Sequence, residues 1–209
     1  MSKSKTKASS KARKPVAKSN PSSRFSKYLS LERVIIGGTI LFVIGLIGVI
    51  AWNSWSNRPI DIKGIQEFPS VTAGHQETAV NYEESPPVGG PHYPVWQNCG
   101  AYDQPIRNEM AVHSMEHGAV WITYRPDLSI EEVEQLRNLV RPNSYRLLSP
   151  YPDLPSPIAV SSWGYQLQIE SVDDERLSQF IRQYEQGPNT PELGATCSGG
   201  IDRPLAQLP

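Results

Sequence analysis

Cysteine is scarce in this sequence, and so, after the first 33 positions, are basic residues. Only two of the 209 residues are cysteine, Cys99 and Cys197, and no Cys-x-x-Cys pair occurs, so nothing supports a thiolate metal site or a redox-active thiol. The chain has 20 Lys and Arg against 21 Asp and Glu, but ten of the basic residues and only Glu32 of the acidic ones precede residue 34. Beyond that point ten basic residues face 20 acidic ones, a balance that disfavours nucleic acid or anionic lipid as the partner of this part. Between Val34 and Trp52 charge is absent altogether.

Those 19 uncharged residues are long enough to span a hydrocarbon core of about 30 Å as a helix. Trp52 and Trp55 fall where an aromatic belt would anchor the far interface. A cleaved signal peptide is the competing reading, but its apolar region is shorter and no small-x-small site follows, since the next residues are Trp52-Asn53-Ser54-Trp55. The sequence therefore predicts an uncleaved single-pass transmembrane helix over 34–52, with the lipid bilayer as its partner. The basic segment 1–33 is expected in the cytoplasm by the positive-inside rule, its first 27 residues disordered for lack of apolar runs. The rest is expected outside the cell membrane, with periplasm, cell surface and lumen left open.

A linker over 53–67 and one exported domain over 68–209 complete the predicted organisation. Asn53–Gln104 is punctuated by Pro69, Pro86-Pro87, Gly89-Gly90-Pro91 and Pro94, yet carries Phe68, Tyr82, Tyr93, Trp96 and Tyr102. That mixture predicts ordered loop wrapped onto a core. Regular signals follow. Ala119–Tyr124, Tyr145–Leu148, Ile158–Trp163 and Tyr165–Ile169 read as strands. Ile130–Val140 and Asp173–Gln186 read as helices, capped by Asp127 or Ser129 and by Asp173 or Asp174. The fold class is α+β: a small, mostly antiparallel sheet, two helices on one of its faces and long Pro/Gly-rich loops. In an exported domain Cys99 and Cys197 are expected to form a disulfide that pins both irregular segments.

All four histidines lie between Ala73 and Gly118, and Glu109–Gly118 holds His113, His117, Met110, Met115, Glu109 and Glu116. On a helix His113, His117 and Met110 share a face; on an extended chain His113, Met115 and His117 do. Either way two imidazoles and a thioether come together, a soft-to-borderline set that suits copper. His92 and His75 are candidates to complete the shell, with Glu109 or Glu116 as harder alternatives. The same letters fit the H-x-x-E-H pattern of a zinc peptidase, with Glu116 as general base, but Gly118 and the strand after it cut short the long helix that chemistry uses. Enzymatic activity is thus not the favoured reading. A third possibility is metal-free: the histidines brace loop carbonyls, and the domain serves as an interaction module of a membrane complex.

The stretches Pro86-Pro87-Val88-Gly89-Gly90-Pro91-His92-Tyr93-Pro94, Cys99-Gly100-Ala101-Tyr102 and His113-Ser114-Met115-Glu116-His117-Gly118-Ala119-Val120 occur in that order. Together they resemble the bacterial membrane-anchored family named for a domain of unknown function, DUF3105, from about Phe68 to Gln186. Gly89 departs from it where Ser is expected. The resemblance implies the single anchor and the exported domain and confers no activity. The metal assignment, copper first and zinc second, for delivery or buffering, comes from ligand chemistry alone.

Overall fold

The computed structural model describes residues 22–56 and 59–207, in two compact units, Met1–Arg58 and Pro59–Pro209. The described residues of the first unit form one helix, α1 (Ser22–Ser56). Its stretch Ser30–Trp55 is long and apolar enough to cross a membrane, and Val34, Ile35, Leu41, Phe42, Ile47 and Ile50 are exposed around it. A helix apolar on every side is compatible with a membrane anchor or a signal sequence. Of the segment expected to be disordered, residues 1–21 lie outside the described residues. Residues 22–27 are instead helical, because no Pro or Gly separates Ser22 from the apolar run.

The second unit is α+β. Its upstream part holds only two-residue strands: β1 (Gln66–Glu67), β2 (Gly74–His75), β3 (Pro91–His92) and β4 (Gly100–Ala101). The regular part follows as α2 (Asn108–Glu116), β5 (Val120–Tyr124), α3 (Ile130–Leu139), β6 (Arg146–Pro150), β7 (Ile158–Ser162), β8 (Tyr165–Ile169) and α4 (Glu175–Tyr184). The folded unit begins upstream of Phe68: Ile62 is buried in the core, and β1 pairs with β8 through Gln66–Gln166 and Glu67–Tyr165.

Six strands form one sheet in the order β1-β8-β7-β5-β6-β4. The pairings β1–β8, β8–β7 and β7–β5 are antiparallel, whereas β5–β6 and β6–β4 are parallel. The parallel pair arises because α3 carries the chain back across the sheet between β5 and β6, a crossover no tight hairpin could replace. Ser129 caps α3 with Glu132 in a reciprocal capping box, and Asp174 caps α4 by accepting from the Arg176 amide.

Both faces of β5 are covered. Val120, Ile122 and Tyr124 point into a cluster with Leu136 of α3 and Leu177, Phe180, Ile181 and Tyr184 of α4. Trp121 points the other way, into a cluster with Ala111, Val112 and Met115 of α2, Leu147, Trp163 and Cys197. The two helices expected on one face are there, and the third, α2, occupies the other with the loops.

The disulfide joins Cys99 to Cys197 across 98 positions, with Cα atoms 5.4 Å apart. The tail runs beside residues 96–99: the Asn98 amide donates to the Ile201 carbonyl (2.7 Å), the Ile201 amide to that of Trp96 (2.9 Å) and the Cys99 amide to that of Cys197 (2.8 Å). Replacing both cysteines with serine is expected to destabilise the domain by about 4–5 kcal/mol, the chain-entropy value for a loop of this length, read as a lower urea midpoint.

Candidate metal centre

Helix α2 is buried on all sides, from Glu109 to Glu116. Its apolar side, Ala111, Val112 and Met115, packs into the cluster around Trp121, while His113, Glu116 and His117 emerge on the opposite side. The helix stops because of Gly118. That residue takes φ +95°, and a Cβ there would collide with the side chains of Gln186 and Thr190. Around it the Gly118 amide donates to the Met115 carbonyl and the Ala119 amide to the Ser114 carbonyl, each at 2.9 Å, closing a Schellman turn that leads into β5.

The other two histidines arrive through the small parallel ladder. β2 and β3 pair Gly74 with Pro91 and His75 with His92, and the Gln76 amide donates to the His92 carbonyl at 2.8 Å. The rings of His75, His92 and His113 are mutually 4.8–4.9 Å apart at their centroids, and those of His113 and His117 are 4.6 Å apart. Trp163 sets its ring near-perpendicular to His92, and Trp96 packs against His113 and His117.

Backbone carbonyls determine which nitrogen carries hydrogen. His92 Nδ1 lies 2.8 Å from the Gly90 carbonyl, His113 Nδ1 2.6 Å from that of Tyr93, and His117 Nδ1 2.7 Å from that of Thr196. A carbonyl can only accept, so each Nδ1 donates and each neutral ring keeps a lone pair on Nε2. Those lone pairs point inward. His92 Nε2 is 3.0 Å from Glu116 Oε2, His75 Nε2 is 3.7 Å from the same oxygen, and the ligand atoms of His75, His92, His113 and Glu116 all lie within 4.8 Å of one another. Acceptors converge on acceptors in a buried pocket, an arrangement that is repulsive unless a proton or a metal ion occupies it.

The dimensions suit a metal. Four ligands at about 2.0–2.1 Å from a tetrahedral ion stand roughly 3.3–3.4 Å from each other, within the span of the observed distances. Imidazoles that donate Nδ1–H to carbonyls while presenting Nε2 have the outer-shell geometry usual for metal-bound histidine. Three of the ligand residues are buried, and His75, its side chain 49 % exposed, is the solvent-facing one.

Among the sequence candidates, His75, His92 and His113 are brought together, and His117 stands beside them through a 3.0 Å Nε2–Nε2 contact with His113. Met115 is separated from them: the segment is helical, not extended, and two residues along a helix turn Met115 into the hydrophobic cluster. Met110 lies one turn before His113 and is buried. Glu109 is used elsewhere, accepting from the Val80 amide at 3.0 Å. Glu116, considered only as a harder alternative or a base, is the carboxylate of the cluster; its place three residues after His113 on a helix was the available signal. The four-residue cluster thus includes Glu116 beside His113 and leaves His117 outside it, whereas the H-x-x-E-H peptidase pattern uses both histidines as ligands and the Glu as base.

Burial, opposed by the hydrogen bond to Tyr93 and reinforced by the neighbouring His117, His92 and His75, pushes His113 down from 6.5 to about 4. The unfolded chain takes up that proton near pH 6.5 and the folded chain only near 4, so this contribution to stability is intact above 6.5 and is lost as pH falls towards 4. The urea midpoint of metal-free protein is expected to drop across that window, and His113→Gln to flatten the drop.

A family model described as "Protein of unknown function (DUF3105)" matches residues 75–199, more than half of the chain. No curated protein and no solved structure matches it. The matched stretch opens on His75, contains the other three histidines and Glu116, and ends two positions after Cys197. The chain belongs to the DUF3105 family.

Proposed function

We propose that the domain binds one divalent transition-metal ion through His75, His92, His113 and Glu116, and that the protein holds this ion at a membrane surface for delivery or buffering. The observation that carries the reading is the convergence of imidazole lone pairs and a carboxylate oxygen within 4.8 Å, with the Nδ1 hydrogens of His92 and His113 already committed to carbonyls. Three nitrogens and one oxygen form a borderline set suited to copper(II) and zinc, and the general affinity order places copper(II) first. The thioether that, with the imidazoles, made copper the first choice from sequence is not in the cluster, because Met115 faces the core.

The location is part of the proposal. Ten basic residues before the apolar run support a cytoplasmic N-terminus, and the disulfide supports an oxidising compartment for the domain. Ligation and loop bracing do not compete here, since the braces use Nδ1 and the ligands use Nε2. A metal-free interaction module, the second reading, is favoured by those same braces and predicts no bound metal.

The test uses the full chain in detergent, loaded with copper(II) or zinc, desalted and assayed for metal by elemental analysis beside His92→Ala/His113→Ala. About one ion per chain, lost in the double variant, is expected of a single four-ligand site. A well-folded wild-type chain that retains neither metal would overturn the proposal and leave the module reading. Glu116→Gln is expected to weaken binding at least about tenfold, measured by chelator competition.

A further inference from the structure

His117 is not needed by the inner ligand set, yet it is oriented as a ligand is. Its Nδ1 donates to the Thr196 carbonyl at 2.7 Å, so its Nε2 carries a lone pair. That nitrogen stands 3.0 Å from His113 Nε2, which carries a lone pair for the same reason, and 3.5 Å from Glu192 Oε2. With both carbonyl bonds kept, the two nitrogens are brought into contact by an added proton or by a cation between them.

We propose that His113, His117 and Glu192 form a second cation position, overlapping the first through His113, by which a bound divalent ion leaves the buried set. The inference rests on the metal-binding reading above. His113 has a single free lone pair, so the two positions are alternatives: an ion moves from one to the other by exchanging His75, His92 and Glu116 for His117 and Glu192, with His113 keeping hold throughout. No electron or proton need move.

The direction follows from exposure. His75 opens the inner set at 49 % exposure, but its carboxylate, Glu116, is 5 % exposed whereas that of Glu192 is 53 % exposed, so the second set replaces a buried carboxylate with a solvent-facing one that an acceptor's ligands can displace. The spacings also fit: 3.0 and 3.5 Å bracket the roughly 3.3–3.4 Å between ligands on a tetrahedral zinc ion, with water completing the shell.

The C-terminal tail builds this position. The Glu192 amide donates to the Glu116 carbonyl at 3.0 Å, seating the tail on the last turn of α2. The Gln186 side chain donates to the His117 carbonyl and also accepts from the Gly194 amide at 3.3 Å. Thr196, whose carbonyl orients His117, immediately precedes the disulfide-bonded Cys197.

Zinc is the probe, with the full chain in detergent. In His75→Ala/His92→Ala the inner set is broken, and residual zinc binding is expected, weaker than wild type by roughly 10–100-fold and lost when Glu192→Gln and His117→Gln are added. In a second arm, zinc-loaded Glu192→Gln is mixed with a chromogenic chelator; transfer about tenfold slower than wild type is expected of a lost ligand on the exit route. Glu192→Gln keeps every histidine–carbonyl bond, so it stays informative if His117→Gln fails to fold. If wild type binds zinc but the double alanine variant binds none, or Glu192→Gln transfers zinc at the wild-type rate, the second position is overturned and the inner site stands. If folded wild type binds no zinc or copper(II), both fall together.

Discussion

The hydrogen bonds from histidine Nδ1 to the carbonyls of Gly90, Tyr93 and Thr196 are the constraint on which the rest of the centre depends. Each carbonyl belongs to a Pro- or Gly-rich segment that makes few ladder bonds of its own, so the imidazoles satisfy backbone acceptors that the sheet does not. The same bonds fix the tautomer. Once Nδ1 is spent on the backbone, the only free lone pair on each of these rings is on Nε2, and the loops place those nitrogens together with Glu116. Bracing uses one nitrogen of each ring and leaves the other free for a metal ion, so the two roles are compatible in one arrangement.

Rigid surroundings keep that arrangement from relaxing. Strand β5 is buried on both faces, with α3 and α4 filling one side and α2 the other. The turn centred on Gly118 carries the chain from Glu116 at the end of α2 to Val120 at the start of β5, so the position of His113 and Glu116 is tied directly to the central strand. On the far side the disulfide and the backbone pairing of residues 96–99 with the tail hold Trp96 and Thr196 against the imidazoles. The cluster itself comes from residues 75–116, and the tail adds the Thr196 carbonyl that orients the neighbouring His117 from 79 positions away.

The charge distribution is consistent with a cation site. The chain beyond residue 33 is acidic, which favours the approach of a metal ion by long-range attraction. Within the cluster the carboxylate of Glu116 faces three imidazoles in a pocket mostly shielded from water, and His75 is its solvent-facing member. An ion held there would be protected from competing ligands yet reachable from one side.

Much of the fold was legible because the periodic segments state their own structure. The apolar run over 34–52 lies within α1, Tyr165–Ile169 forms the strand its alternation predicts, and Ser129 caps the helix that its spacing to Glu132 announces. The disulfide was legible because only two cysteines were available. The parallel placement of β6 was not, since alternation says which face a residue takes and not which neighbour its strand chooses. In the centre, residue type and clustering singled out the four histidines, and their chemistry is a local property. His113–Glu116 proved helical, ended by the Schellman turn at Gly118, which places Met115 in the core and Glu116 among the histidines. Whether His75 reaches His92, which ring nitrogen is free and that Glu192 faces His117 depend on contacts between distant segments. Only the packed tertiary structure sets those, because a carbonyl 79 positions away in the chain determines where the lone pair of His117 points.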